Sequence, residues 1–317
     1  MSTGFANISI DLDGLSCYYD IHGLDGKPDP TVIYDVALPR FLDLVEAHGA
    51  RATLFVITAD LEHDSVCVAL RDATARGHEV ASHSHSHFYD LRKRAAAVIA
   101  DELDRSFAAI EQVTGRAAVG FRTPGYNIDD TLLRALVERG VRYDSSVFAC
   151  PPYYAAKAAV MGVLALRGTP SRSSMTDPSA LRAPIQPYRP STRSYARDAD
   201  GGPSYPIWEF PIGVVRGVRF PVIGTSIGAL SARAARGLAH ALMAKQPVVQ
   251  LEFHGIDFLD HVDDAISAEL VERQPDVRRS VAAKNAAFDA MFRTIGAARR
   301  WRTLEALADD LDRQARH

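Results

Sequence analysis

The chain has little of what staples, anchors or strongly charges a protein. Its 317 residues hold three cysteines, Cys17, Cys67 and Cys150, widely spaced and without a C-x-x-C pair. That excludes a disulfide scaffold and a thiolate zinc site, and the three read as buried, inert thiols. No apolar run is long enough to span a bilayer. Met1 to Asn7 shows no basic segment followed by an apolar stretch, so no signal peptide is read and the expected location is cytoplasmic. The formal charge of −3 is neither polybasic nor polyacidic, which argues against nucleic acid as the main partner. No internal repeat is visible.

What the chain does have is a composition that builds a core, 47% hydrophobic and 24% charged, and a regular alternation of short β-rich runs with longer helical ones. Strands are expected at 7–11, 53–57, 79–81, 118–121, 141–143, 208–212 and 248–253, with a last short one at 302–304. Helices are expected at 32–48, 65–76, 95–113 and 131–138, with Pro39 marking a kink or a restarted turn in the first. Ile99, Leu103, Phe107 and Ile110 make an apolar stripe at helical spacing. Repeated β–α units imply a parallel sheet, and this many imply closure into an α/β barrel. The rhythm breaks at about 150–206. Ala155 to Leu166 reads as a short apolar core helix, with a lid or lipid-facing element as the sharper alternative. Gly168 to Pro206 is dense in Pro, Ser, Arg and Tyr and reads as a long functional or disordered loop.

Chemistry concentrates where strands end. His83 and His87 stand four apart after the third strand, and Asp11 and Asp13 end the first. Two imidazoles and one carboxylate can hold a metal on one face, leaving the second carboxylate as a base, a set suited to metal-assisted hydrolysis. Arg122 ends the fourth strand and His254 a later one, so four strand ends converge on one mouth.

These residues resemble the NodB-homology polysaccharide deacetylases, the family-4 carbohydrate esterases. Ser9-Ile10-Asp11-Leu12-Asp13-Gly14 matches the first family motif, with its carboxylates two apart rather than adjacent, as in a branch that includes an aminoarabinose-lipid deformylase. His83-Ser84-His85-Ser86-His87 matches the second. Arg122-Thr123-Pro124-Gly125-Tyr126 matches the third with one extra glycine, and Leu251-Glu252-Phe253-His254 the fifth. The fourth motif is absent, and Trp208 and Asp144 are its nearest stand-ins. The resemblance implies a distorted TIM-like (β/α)7-type barrel, one catalytic domain over 1–317 with an irregular insertion at about 150–206. It implies a metal-dependent hydrolase that removes an acetyl or formyl group from an amino sugar or sugar-lipid intermediate. A non-sugar C–N hydrolase of the allantoinase or cyclic-imide type is the alternative. Asp13, His83 and His87 would bind the metal, Zn2+ or else Co2+, Ni2+ or Mn2+. Asp11 would be the general base, Arg122 would orient it, and His254 would be the general acid. A backbone N–H near Gly125 or Tyr126 would face the oxyanion. A small or lipid-linked substrate is implied, the latter with peripheral contact at the inner membrane face, and no nucleic acid and no further cofactor.

Other residues are read as structural. His85 is expected either to point away or to compete for the metal and is left as structural, and His78 is read as a turn residue. Gly224-Thr225-Ser226-Ile227-Gly228 satisfies G-x-S-x-G, but a serine hydrolase then needs an acid and a histidine further along. The carboxylate before His254 is Glu252, expected to face away. A non-catalytic barrel is the remaining alternative, set against five filled catalytic and metal positions.

Overall fold

The sheet follows from strand parity. In a computed structural model describing residues 4–26, 28–166, 168, 170–262, 264 and 266–315, β1 (Phe5–Asp11) buries all but its first residue. Met1 to Thr3, part of the N-terminal reading above, lie outside the described residues. Ala6, Ile8 and Ile10 point outward into the largest apolar core, while Asn7, Ser9 and Asp11 point into the barrel. The later strand β7 (Val248–His254) repeats the pattern: Val249, Leu251 and Phe253 face the same core. It runs parallel to β1 in unbroken register, with Asp11 opposite His254. Two functional strand ends therefore meet at one height.

Between them in sequence come β2 (Thr53–Val56), β3 (Glu79–Ser82), β4 (Gly120–Phe121), β5 (Tyr143–Asp144) and β6 (Trp208–Glu209). The order β7-β1-β2-β3-β4-β5-β6 is parallel throughout, a seven-strand half-barrel as the sequence suggests. β8 (Arg300–Trp301) pairs with Phe5 and Ala6 of β1. It lies earlier than the strand expected at 302–304, because Leu304 instead opens a helix, Leu304–Ala315. Thr53 Oγ1 accepts from the Leu304 N–H and Glu79 from the Glu305 N–H, which satisfies the first donors of that helix.

Helix α1 (Leu15–His22) follows Asp13 directly. The segment 32–48 divides into a π-helical turn, Ile33–Ala37, and α2 (Leu38–Ala47), with Pro39 in the first turn of α2. Proline has no N–H to give the carbonyl one turn back, so the helix restarts there. Helices α3 (Asp64–Ala75), α4 (Ala96–Thr114) and α5 (Asp130–Glu138) fall where the apolar spacing places them.

Helix α6 (Pro151–Leu166) corrects the core-helix reading. It buries only Tyr154 and Leu164, while Val160, Val163 and Leu166 are exposed at 51%, 46% and 91%. The insertion is not structureless either. It carries a 3-10 turn, Pro178–Arg182, and an antiparallel pair, Pro190–Ser191 with Ser194–Asp198. Buried tyrosines anchor it: Tyr188 donates its hydroxyl to the Tyr195 carbonyl, and the Tyr195 N–H donates to Asp130. Such anchors have no period, which is why the sequence pattern misses them.

Candidate active site

Asp13 Oδ1 lies 3.3 Å from His83 Nε2 and 3.4 Å from His87 Nε2. The three ligand atoms fall within 4.8 Å of one another, all on buried residues. Asp13 Oδ1 and His87 Nε2 have no hydrogen-bond partner, although both are sealed from solvent. A buried carboxylate oxygen and a buried ring nitrogen left unsatisfied carry a penalty of about 1–3 kcal/mol each. A cation between them removes it, so these residues fit a divalent metal.

The loop that brings the histidines together is strained. Ser84 and His87 both have positive φ, 66° and 55°, a conformation that L-residues adopt at some cost. Glu102 holds the turn by accepting from the His85 and Ser86 N–H groups, and Ser84 Oγ accepts from the His87 N–H. The His83 tautomer is set from behind. His83 Nδ1 is 2.8 Å from the Arg122 carbonyl; a carbonyl only accepts, so Nδ1 carries the hydrogen and Nε2 keeps its lone pair. His87 Nδ1 is 3.5 Å from Cys17 Sγ. His85 turns away to Thr58 Oγ1, and His78 is held by Ala52 N and Glu46 at the opposite end of β3, as structural readings require.

The electrostatics ask for positive charge. Burial pushes Asp13 up, but the charges and close approach of His87 and His83 outweigh it and hold the carboxyl well below its ordinary value. Burial lowers His87, yet Cys17 and Asp13 carry it up to about 10.

Arg122 is fully buried and crosses the barrel interior. Nη1 donates to Asp11 Oδ1 at 2.5 Å, Nε to the Ser145 carbonyl, and Nη2 to Ser9 Oγ and Ser145 Oγ. Its guanidinium lies over the Phe55 ring at 4.0 Å. With Oδ1 tied, Asp11 presents Oδ2 to the site, 3.9 Å from His83 Nε2. Removing the cation leaves Asp11 buried and unpaired. Arg122→Met is expected to destabilise the fold by about 3–5 kcal/mol, read as a lowered midpoint in urea denaturation.

Glu252 corrects the sequence reading. It stands two residues before His254 on one strand, so both project into the barrel. Its Oε1 is 3.1 Å from His254 Nδ1 and accepts from the Tyr126 hydroxyl at 3.0 Å; Oε2 is buried and unpartnered. Burial raises Glu252 to about 7 despite the His254 charge. Burial lowers His254, but Glu252 carries it up to about 9.

The extra glycine of the third motif now has a reason. Gly125 sits at φ 63°, and a Cβ there would meet the Tyr89 ring at 3.0 Å. Tyr126 follows at φ 62°, and its hydroxyl reaches Glu252 and lies 3.5 Å from His254 Nε2. The Tyr126 N–H bonds to the Thr123 carbonyl, which leaves Gly125 as the remaining backbone candidate for the oxyanion.

Neither stand-in for the fourth motif reaches this cluster. Trp208 donates its indole N–H to Asp312, and Asp144 accepts from Ser146. Ser226 donates to the Pro221 and Ile223 carbonyls and accepts from the Ile223 N–H, so it caps its own short helix and touches no histidine. The serine-hydrolase arrangement does not form. Sequence reasoning missed Glu252, for which strand parity was the available signal, and Cys17 and Tyr126, whose contacts have none.

Residues 28–143 match the family model described as polysaccharide deacetylase. The match includes His83, His87 and Arg122, while Asp11, Asp13 and His254 lie outside it. A peptidoglycan deacetylase of Helicobacter pylori is 26% identical over 151 residues, 46% of this chain and 50% of that protein. A bifunctional xylanase/deacetylase of Pseudobutyrivibrio xylanivorans is 29% identical over 93 residues, 29% of this chain and 15% of that protein. The chain thus spans half or less of the length of the curated relatives it matches. Among solved structures, a Mycobacterium smegmatis protein provisionally described as a polysaccharide deacetylase superposes with a TM-score of 0.59 at 16% identity, covering 99% of this chain and 92% of that one. An allantoinase superposes with a TM-score of 0.57 at 14% identity, covering 97% and 90%. Both show the shared distorted barrel. Over these stretches the chain is similar to polysaccharide deacetylases.

Proposed function

We propose that the protein is a metal-dependent amide hydrolase that removes an acetyl or formyl group from an N-acyl amino sugar, free or lipid-linked. The observation that carries this reading is the convergence of Asp13 Oδ1, His83 Nε2 and His87 Nε2, next to a second cluster of Asp11, Glu252 and His254 whose side-chain atoms lie within 4.8 Å of one another. The donor set, two imidazoles and one carboxylate, suits Zn2+ and accommodates Co2+, Ni2+ or Mn2+. When bound, the ion supplies Lewis-acid polarisation of the acyl carbonyl and a more acidic water.

The chain's own residues do the rest. Asp11 takes the proton of the attacking water at Oδ2, because Arg122 fixes Oδ1. The water oxygen bonds to the acyl carbon, and the Gly125 N–H donates to the oxygen that gains charge. As the C–N bond breaks, His254 gives its proton to the departing nitrogen. Glu252 holds Nδ1, so Nε2 is the delivering atom. The products are a carboxylic acid and an amine.

This division of labour sets a pH profile. Asp11, Arg122, Asp257 and Asp13 also act on the Glu252–His254 pair. Below about 7, Glu252 takes up a proton and no longer holds the imidazolium; above about 9, His254 loses the proton it must deliver. The rate is expected to be highest between these values and to fall on both sides. In Glu252→Gln the largest counter-charge on His254 is gone, and only Asp13, Asp11 and Asp257 still oppose burial. Its alkaline limb should move down from about 9 toward the ordinary histidine value of about 6.5, measured as kcat against pH for both proteins.

A non-sugar C–N hydrolase of the allantoinase or cyclic-imide type is the second reading. What favours it is that Trp208 and Asp144, the stand-ins for the sugar-lining fourth motif, point elsewhere. The exposed Val160, Val163 and Leu166 support keeping a lipid-linked substrate in the first reading, which vesicle flotation tests. Metal analysis followed by a mass-spectrometric screen of N-acyl amino sugars, allantoin and succinimide, with and without chelator, separates the readings. Hydrolysis of none of these by metal-loaded protein contradicts both.

A further inference from the structure

His254 is the last residue of β7, and β7 is an end strand of the half-barrel. Pairing with β1 fixes the strand up to that point, with Asp11 opposite His254. Beyond it the chain leaves the sheet, so other contacts have to hold the imidazole where a departing nitrogen can reach it. Glu252 holds the ring. The backbone is held by Asp257, whose Oδ2 accepts from the His254 N–H at 2.8 Å.

Asp257 lies in the 3-10 turn Gly255–Phe258 and is 1% exposed. A carboxylate that merely capped a surface turn would stay solvated; this one is sealed, at a desolvation cost. Lys284, on the helix Val281–Gly296, is 2% exposed. Its Nζ donates to the Leu259 carbonyl at 2.6 Å and lies 3.5 Å from the Ile256 carbonyl and 3.3 Å from that of Asp276. Ile256 and Leu259 flank Asp257 in the chain, so one ammonium ties down the turn on both sides of the carboxylate. Methionine would fill that space without burying a charge, but it would not bond the turn.

The G-x-S-x-G stretch, which makes no nucleophile elbow, packs against this assembly. Ile223 forms a parallel bridge with Glu252 on β7. At Gly224 an added Cβ would overlap Asp257 Oδ2, 1.8 Å away. At Gly228 it would stand 3.5 Å from Lys284 Cδ and 3.3 Å from the Phe288 ring. Neither glycine has a positive φ, so room for the Asp257 carboxylate, not backbone freedom, requires glycine at 224.

We propose that Asp257 and Lys284 are positioning residues for the general acid, fixing the His254 backbone so that its ring meets the departing nitrogen. The inference rests on the hydrolase reading above. Misplacing a reacting group by about 1 Å can lower a rate about 10²-fold, so the hold on the backbone bears on proton delivery and not on attack by water.

The test compares two acetyl compounds that differ in the departing atom. para-Nitroacetanilide releases a nitrogen too basic to leave without a proton, whereas para-nitrophenyl acetate releases a phenolate that leaves without one. Zinc-loaded wild type, Asp257→Ala, Asp257→Asn, Lys284→Met, Gly224→Ala and His254→Ala are assayed on both, with near-UV circular dichroism to confirm folding. Asp257→Ala is expected to lose about 10²-fold in kcat on the anilide and far less on the ester, the leaving-group pattern of His254→Ala. Gly224→Ala should repeat it, because the methyl displaces the carboxylate without removing it, and so should Lys284→Met, which frees the turn. Asp257→Asn keeps an oxygen that accepts from the N–H and should restore the anilide rate to within a few-fold of wild type. A loss in Asp257→Ala that is equal on both compounds, or absent on both, overturns the proposal. So does an Asp257→Asn as impaired as Asp257→Ala, since charge and not the held N–H would then matter. If Asp257→Ala does not fold, Gly224→Ala and Lys284→Met carry the same expectation, and equal losses on both compounds overturn it there. A wild type that leaves the anilide intact contradicts the amide-hydrolase reading itself, and this inference falls with it.

Discussion

Asp13→Ala is expected to abolish stoichiometric binding of a divalent metal and to take hydrolysis with it. Asp13 supplies the anionic member of the donor set, beside His83 Nε2, whose ring the Arg122 carbonyl orients, and His87 Nε2. Changing even the groups behind metal ligands lowers affinity about 10- to 100-fold. Removing the carboxylate itself should exceed that, because two imidazoles alone are left to hold a dication. The fold should survive, since Asp13 Oδ1 makes no hydrogen bond that alanine would break. Equilibrium dialysis against Zn2+ with metal quantification reads the affinity, and near-UV circular dichroism confirms the fold. Retention of one tightly bound ion by Asp13→Ala would assign the ligands wrongly.

Asp11→Asn should separate chemistry from metal binding. Asparagine is nearly isosteric, and its side-chain oxygen can still accept from Arg122 Nη1, so the cross-barrel contact persists. It cannot take a proton from water. Loss of a positioned general base typically lowers rate about 10²- to 10⁴-fold. The expected pattern is that loss in kcat, a KM changed little, and one zinc per chain. If activity stays within a few-fold of wild type, Asp11 is only a structural partner of Arg122. If zinc is lost as well, Asp11 is a ligand and the roles of the two aspartates exchange.

How far the sequence could carry this account depends on which physics each element used. The barrel strands and α3, α4 and α5 were legible because periodicities of two and near 3.6 are local signals. The D-x-D pair, H-x-x-x-H, Arg122 and His254 were legible because they match, in order, the motifs of a family they resemble and stand at strand ends, and the structure does bring them together. Glu252 was misjudged against a rule already in hand: residues two apart on a strand share a face. The contacts of Cys17 with His87 and of Tyr126 with Glu252 were not legible, since His87 and Tyr126 both sit at positive φ, which no periodicity encodes. Helix α6 misled in the other direction. Apolarity all round normally means burial, yet its valines and Leu166 face solvent.

The most direct test of the central claim is anomalous diffraction at the zinc K-edge from crystals of the protein loaded with Zn2+. The account predicts one anomalous peak per chain, about 2.0–2.2 Å from Asp13 Oδ1, His83 Nε2 and His87 Nε2, with Asp11 Oδ2 free beside it. No peak at that position, or an ion held by other residues, would contradict it.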